Sequence, residues 1–155
     1  MATALITGAS QGIGACIAKR LAKDGYNVAI NHFPSDSDKA NAEKVAEECR
    51  SFGVEAELFA ANVADYAQCE AMTKAVKERF GSIDALVNNA GILSLKKPFV
   101  EYTKADWDKI FGINFMGDVF FCKAVIPTMK EKKAGRIINM ASQSAETGGL
   151  AASPI

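Results

Sequence analysis

The sequence predicts an α/β protein whose core is a doubly wound parallel sheet, and three observations carry that prediction. Short apolar runs alternate with stretches whose apolar residues recur every three or four positions. Glycines close those longer stretches at Gly25, Gly53 and Gly81, where helices end. A glycine-rich turn joins the first apolar run to the first periodic stretch. The 155 residues leave room for one domain, and 49% hydrophobic with 23% charged residues is an ordinary globular composition.

The first strand is the apolar run Ala4-Leu5-Ile6, stopped by Thr7-Gly8. Residues 13–24 form a helix with Ile13, Cys16, Ile17, Arg20 and Leu21 on one stripe, Arg20 being the polar exception whose stem can snorkel. The second strand spans 27–33 and ends at Pro34. Ser35 or Asp36 caps the next helix, which runs through Val45, Ala46 and Cys49 to Gly53. The third strand covers 56–63, and Asp65 caps a helix with Cys69, Met72, Val76 and Phe80 at intervals of three and four. A fourth strand, 85–87, leads into Asn88-Asn89-Ala90-Gly91. Thr103 and Asp106 make a capping box that opens a long helix through Trp107, Ile110 and Phe111 to about Ile126, with Pro127 marking its last turns. The fifth strand is 136–140, and a Gly/Ala/Ser-rich stretch follows.

Composition removes several classes of function. Eighteen basic and eighteen acidic residues cancel, so nothing electrostatic calls for nucleic acid or an anionic membrane. No apolar run in the sequence approaches the ~20 residues that span a bilayer, and the start lacks the regions of a secretory signal. Cys16, Cys49, Cys69 and Cys122 stand apart with no C-x-x-C pair, as thiols in a reducing cytoplasm do. His32 is the only histidine, so no metal site is expected from a histidine cluster.

The turn between the first strand and helix reads Thr7-Gly8-Ala9-Ser10-Gln11-Gly12-Ile13-Gly14. A tight strand-to-helix turn needs positive φ, which glycine adopts without steric cost. The following helix aims unpaired N–H groups and its positive dipole end at the turn, which suits a phosphate. The spacing is G-x-x-x-G-x-G, neither the G-x-G-x-x-G fingerprint nor a P-loop. A ligand-free glycine turn is the competing reading, and placement at the first strand–helix junction disfavours it.

TGASQGIG at 7–14, NNAG at 88–91, Asn114 in the long helix and INMAS at 138–142, in this order, resemble a short-chain dehydrogenase/reductase over the whole chain. The resemblance implies a Rossmann sheet, an NAD or NADP cofactor and the family's shorter branch. Carried over by position, Gly8, Ser10, Gln11, Gly12, Ile13 and Gly14 wrap the pyrophosphate and adenosine ribose. Asn62-Val63 stands where the family usually has Asp-Val against adenine, and Asn88, Asn89, Ala90 and Gly91 lie along the cofactor, although one of these asparagines can instead tie strands together. His32 takes the place of the acidic residue that ends the second strand in NAD-preferring members. With Ser35 it can donate to a 2′-phosphate, which tilts the reading toward NADP(H), against packing on adenine.

The resemblance also implies a tyrosine that transfers the proton, a lysine four residues later that lowers its pKa, a serine on the substrate oxygen and an asparagine that orders a water. Asn114 and Ser142 match the asparagine and the serine, with Ser144 a weaker candidate and Gln143 a pocket residue. The tyrosine–lysine pair is missing: four residues beyond Tyr26, Tyr66 and Tyr102 stand Ile30, Glu70 and Asp106. The family places its tyrosine a little over a dozen residues past the serine, and Ile155 is thirteen past Ser142. The chain therefore reads as one NAD(P)-binding domain, 1–155, incomplete at its C-terminus, from an oxidoreductase acting on a small carbonyl or alcohol. The full-length form is expected in the cytoplasm as a dimer or tetramer. The alternative is a catalytically inactive nucleotide-binding or interaction module; a tyrosine-x-x-x-lysine encoded beyond Ile155 separates the two.

Overall fold

In the computed structural model, which describes residues 1–93, 98–143 and 146, five strands form one parallel sheet in the order β3-β2-β1-β4-β5. The strands are β1 (Thr3–Ile6), β2 (Asn27–His32), β3 (Ala56–Ala60), β4 (Ala85–Asn88) and β5 (Arg136–Asn139). Helices α1 (Gly12–Lys23) and α2 (Asp36–Arg50) cover one face, where Ala4, Ile6, Val28 and Ile30 point. The other face, lined by Leu5, Ala29 and Leu86, is covered by α3 (Tyr66–Phe80) and α5 (Gly117–Lys132). Alternation along each strand feeds both cores, and this is why β1 is buried throughout. Full burial of Phe121 on α5 contributes roughly 2–3 kcal/mol.

The predicted helix caps are present. Ser35 accepts from the Asp38 N–H, Asp65 from the Gln68 N–H, and Thr103 and Asp106 exchange both bonds of a capping box. Three expectations need correction. The buried face of α1 is Gly14, Ala15, Ala18 and Ala22, with Ile17 and Leu21 packed beside it, whereas Ile13, Cys16 and Arg20 are exposed. Small side chains let α1 lie close to the sheet, and they carry too little hydrophobic signal to orient the stripe. The third strand ends at Ala60, so Asn62 and Val63 belong to the loop before α3. The long helix is composite: α4 (Lys104–Phe111), a π-helical turn at Gly112–Met116, then α5, which continues past Pro127 to Lys132.

That composite run, Lys104–Lys132, is long and apolar enough by length and composition to cross a bilayer, which amends the sequence expectation. The core helix of a soluble protein passes the same test, and here Phe121, Val125 and Met129 pack on the sheet.

At the amino ends of the strands, Asp84 gathers three donors. It accepts from the Thr3 N–H (2.9 Å), the Ser82 hydroxyl (2.8 Å) and Lys132 Nζ (2.7 Å), tying β1, the turn before β4 and the end of α5. Burial works to raise its pKa, but the bonds from Lys132, Thr3 and Ser82 together outweigh it and hold the carboxyl below its ordinary value. A depressed carboxylate stabilises the fold above its unfolded pKa of ~3.9 and loses that contribution as pH falls through the native value. We expect Asp84→Asn to cost about 1–3 kcal/mol at pH 7 and to approach the unaltered chain as acid protonates the native carboxyl. Urea unfolding at pH 7 and at successively lower pH measures this.

Candidate functional site

The site is built where β1 and β4 lie side by side and the chain leaves them in opposite directions, the crevice in which open parallel sheets bind ligands. Gly8 turns the chain with φ +59° and packs against β4's exit: a Cβ on it would stand 2.8 Å from Ala90 Cα. Gly14, in the first turn of α1, leaves room for Asn89; a Cβ there would be 2.5 Å from Asn89 Nδ2. Gly12 also has positive φ, +58°, but nothing lies within 4 Å of its Cβ position. Two of the glycines thus serve close packing and the third faces open space.

Side chains pin the turn from below. Thr7 Oγ accepts from the N–H groups of Asn89 and Ala90, each at 2.9 Å. Asn89 Nδ2 donates back to the carbonyls of Thr7 (2.9 Å) and Gly8 (3.1 Å). Asn31, buried in β2, accepts from the Gly8 N–H at 3.1 Å and donates to the Ala61 carbonyl at 3.2 Å. Neither Thr7 nor Asn31 was singled out from sequence. The signal for Asn31 was available, since it interrupts an apolar strand two residues before the loop that follows it.

The first turn of α1 carries no acidic residue, and its N-cap, Gln11, makes no side-chain cap bond. The N–H groups at this helix start therefore face the crevice beside the open side of Gly12, and these residues fit a dinucleotide pyrophosphate. Gln11 is exposed, as is Ile13 at 64%, while Ser10 is buried with its hydroxyl donating to Asp38 at 2.7 Å.

Several other predicted residues make contacts within the protein. Asn88, 1% exposed, donates to Asn139 Oδ1 at 2.9 Å and so ties β4 to β5. With Asn89 holding the glycine turn, both asparagines of NNAG act as ties, and Ala90 packs on Gly8. Gly91 is exposed and faces Asn114, whose Oδ1 lies 3.6 Å from its Cβ position. His32 is 4% exposed, with Nδ1 2.8 Å from the Phe33 carbonyl. A carbonyl only accepts, so Nδ1 carries the proton in this contact, and little of the ring meets solvent. Val63 is buried in the core under Gly117. Asn62 Oδ1, expected to face adenine, accepts from the Ala64 N–H at 3.1 Å.

Asn114 sits inside the π-helical turn. Its Oδ1 accepts from the Ile92 N–H (2.8 Å) and its Nδ2 donates to the Ile92 carbonyl (2.9 Å), a reciprocal clamp on the segment leaving β4. The extra residue of a π turn re-aims a side chain from a helix surface to such a target. Ser142 and Gln143 follow β5 on the exposed carboxyl side of the sheet, and Ser144 lies outside the described residues. Beside Asn88 stand Cys122, 3.5 Å from its Nδ2, and Asp118 one turn earlier on α5. Burial pushes the Asp118 carboxyl up to about 6.

The family model described as short chain dehydrogenase matches residues 2–154. The chain is 44% identical over 141 residues to the 3-oxoacyl-[acyl-carrier-protein] reductase FabG of Staphylococcus aureus, covering 90% of this chain and 55% of that protein. It is 40% identical over 148 residues to the L-rhamnose 1-dehydrogenase (NAD(P)(+)) of Azotobacter vinelandii, covering 95% and 57%. Among solved structures it resembles a blue fluorescent protein from a metagenomic library in complex with NADPH. The TM-score is 0.88 at 36% identity, over 98% of this chain and 60% of that one. A metagenomic short-chain oxidoreductase in complex with NADP gives 0.84 at 33% identity, over 91% and 62%. The chain thus spans little more than half the length of these relatives.

Gly8→Ala forces a backbone clash on top of positive φ and should cost ~3 kcal/mol or more, whereas Gly12→Ala pays only the ~1–2 kcal/mol of the left-handed conformation. Thermal melts of the two variants rank them. Asp118 titrates higher in the fold than in the unfolded chain, so the native state is the more protonated one between pH ~4 and ~6 and its stability falls across that window. Asp118→Asn should flatten this slope and leave the protein more stable at pH 7, as melts taken from pH 4 to pH 8 will read.

Proposed function

The chain belongs to the short-chain dehydrogenase/reductase family, and from that premise we propose that it is the nucleotide-binding portion of an NAD(P)-dependent oxidoreductase acting on a small carbonyl or alcohol. One observation carries the reading. The pinned glycine turn presents uncapped helix N–H groups to open space above Gly12, at the point where the strand order reverses. A nicotinamide dinucleotide bound there supplies hydride chemistry. The residues of the chain do the rest. Gly12 and the first turn of α1 hold the pyrophosphate, Gln11 and Ile13 flank it, and Gly91 lets the backbone pass close to the bound group.

In this proposal Ser142 binds the substrate oxygen from the end of β5. Because the Asn114 amide is clamped on Ile92, a water ordered here uses the Asn114 main-chain carbonyl, and the side chain keeps the 91–93 segment in place. Neither residue supplies a proton near neutral pH. That role falls to a tyrosine–lysine pair which this sequence does not contain. We take the cofactor to be NADP(H) before NAD(H), in keeping with the NADP and NADPH complexes of the two solved relatives. The exposed Phe111, Phe115, Met116 and Val119 along the composite helix support assembly into a dimer or tetramer of the longer protein. Buried thiols at Cys49 and Cys69, pushed up by burial to about 11 and about 12, suit a cytoplasmic setting.

The test is a paired assay of nicotinamide absorbance with a panel of ketones and alcohols. It compares residues 1–155 with a version extended to the length of the relatives by a segment carrying the tyrosine and lysine. Loss of a positioned general acid costs ~10²–10⁴-fold, so the short form should bind dinucleotide without measurable turnover while the extended form reacts. Turnover by the short form that disappears in its Ser142→Ala variant would mean another acid is at work. Dinucleotide binding with no turnover in either form would favour a non-enzymatic module. Dissociation constants test the cofactor: NAD(H) binding ~10-fold more tightly than NADP(H), about 1.4 kcal/mol, would reverse that assignment.

A further inference from the structure

Gly112 opens the π turn of the composite helix and Gly117 follows it. Their backbones are ordinary helix, with φ −57° and −55°, so neither residue is needed for its conformation. Glycine inside a helix costs about 1 kcal/mol against alanine, and something must offset that cost. The offset is close approach to the loop before α3. A Cβ on Gly117 would stand 3.1 Å from both Cβ and Cγ2 of Val63 and 3.2 Å from its carbonyl oxygen, tighter than side chains normally pack. A Cβ on Gly112 would meet Ala64 Cβ at 3.4 Å, an ordinary contact. The loop is fixed from behind and has little room to yield. The Asn62 amide oxygen accepts from the Ala64 N–H at 3.1 Å, the Asn62 carbonyl from the Asp65 N–H at 3.0 Å, and the Val63 carbonyl from the Cys69 thiol at 3.3 Å.

Two residues of the helix thus meet two adjacent residues of one loop, although they stand five positions apart. In an α-helix of ~3.6 residues per turn, positions five apart lie roughly 140° apart around the axis and do not face the same segment. An i→i+5 turn brings them back to one side, and the Gly117 N–H does donate to the Gly112 carbonyl. Spacing alone does not assign the turn; the Val63–Ala64 loop that both residues meet does. Asn114 lies between the two glycines, where both ends of its amide reach Ile92. We infer that Gly117 is a positioning residue: its approach to Val63 holds the π turn in place, and the π turn aims Asn114 at Ile92. A side chain at 117 lifts α5 from Val63 and frees the turn to relax toward i→i+4 bonding. Asn114 then rotates off its target by as much as one helical position, ~100°. The consequence for a ligand rests on the dinucleotide reading of the crevice, whereas the coupling to Asn114 does not.

Amide hydrogen exchange and the side-chain amide resonances of Asn114, both read by NMR on the labelled chain, test the coupling directly. In Gly117→Ala we expect the Ile92 N–H to exchange at least ~10-fold faster, an opening about 1.4 kcal/mol easier, and the Asn114 amide resonances to move. The Gly8 N–H, bonded to Asn31, and the core amides of Leu5 and Leu86 gauge general loss of stability and should change less. Gly112→Ala adds only an ordinary contact and should leave Ile92 unchanged. Adding Val63→Ala to Gly117→Ala removes Cγ2 and one of the close contacts, so Ile92 should return toward the rate of the unaltered chain. The same pair serves if Gly117→Ala folds poorly. With NADPH and 2′,5′-ADP as probes, Gly117→Ala should lose about threefold or more of its affinity for the whole dinucleotide relative to the adenosine half. An Ile92 rate that stays put, or that rises only in step with Gly8, Leu5 and Leu86, overturns the role of Gly117, and so does an equal rise in Gly112→Ala. A lost clamp with an unmoved affinity ratio overturns its bearing on the ligand. Failure of the unaltered chain to bind NADPH overturns the dinucleotide reading instead, while the exchange pattern still decides the positioning role.

Discussion

The arrangement at the crevice depends on one close approach, that of the Gly8 backbone to Ala90 where β1 and β4 end. No side chain fits between them, so the turn lies flat on the exit of β4 and the next helix starts directly over the sheet. The approach would be costly if it buried backbone polar groups unpaired. Thr7 and Asn89 remove that cost by bonding across the same gap, and Asn31 takes the Gly8 N–H from the other side. Three strands are thereby locked in register at their carboxyl ends by polar side chains. What is left over, the uncapped start of α1, is the one part of the turn free to face a ligand.

The asparagines of NNAG carry the framework across the sheet. Asn88 is the last residue of β4 and Asn89 the first beyond it, and their amides take different partners. One reaches β5 through Asn139, and the other reaches the β1 turn through Thr7 and Gly8. Together they span the middle of the sheet. Asn114 extends the same logic one step outward by clamping Ile92, so the chain leaving β4 is held at successive points before it departs.

Much of the fold was legible because strand and helix periods differ and because Ser35, Asp65 and Thr103 are cap residues with a physical reason to stand where they do. The failures have physical causes as well. Alanine and glycine bury well but contribute little apolar contrast, so the inward face of α1 was read from Ile13 and Cys16 and rotated outward. A π turn keeps helical composition and spacing on both sides, so nothing in the sequence between Lys104 and Lys132 marks it. The burial of His32 follows from the alternation of β2, which sets it on the same face as Ile30. The Ser10–Asp38 bond links residues 28 apart, and its formation depends on a loop path that periodicity does not encode.

The two sides of the crevice are finished to different degrees, and the difference is electrostatic as well as steric. On the β1–β2 side, hydroxyls, amides and the Asp38 carboxylate are paired with one another across short distances, and the loops they join have little freedom. On the β4–β5 side, Ile138 and Met140 at the end of the sheet are exposed, as are Phe111 and Phe115 on the adjoining helix, and Ser142 stands on the same open side. A hydride-transfer site needs its reacting atoms shielded from water on the nicotinamide side, and polar pinning of the adenosine side does nothing toward that. The exposed apolar groups are what such shielding would be built upon, because covering them excludes water and contributes hydrophobic free energy in the same step. The β1–β2 side of the crevice is thus held by polar contacts that the described residues already make. The β4–β5 side leaves an apolar surface exposed, and under the proposed function it is this surface that must be covered for chemistry.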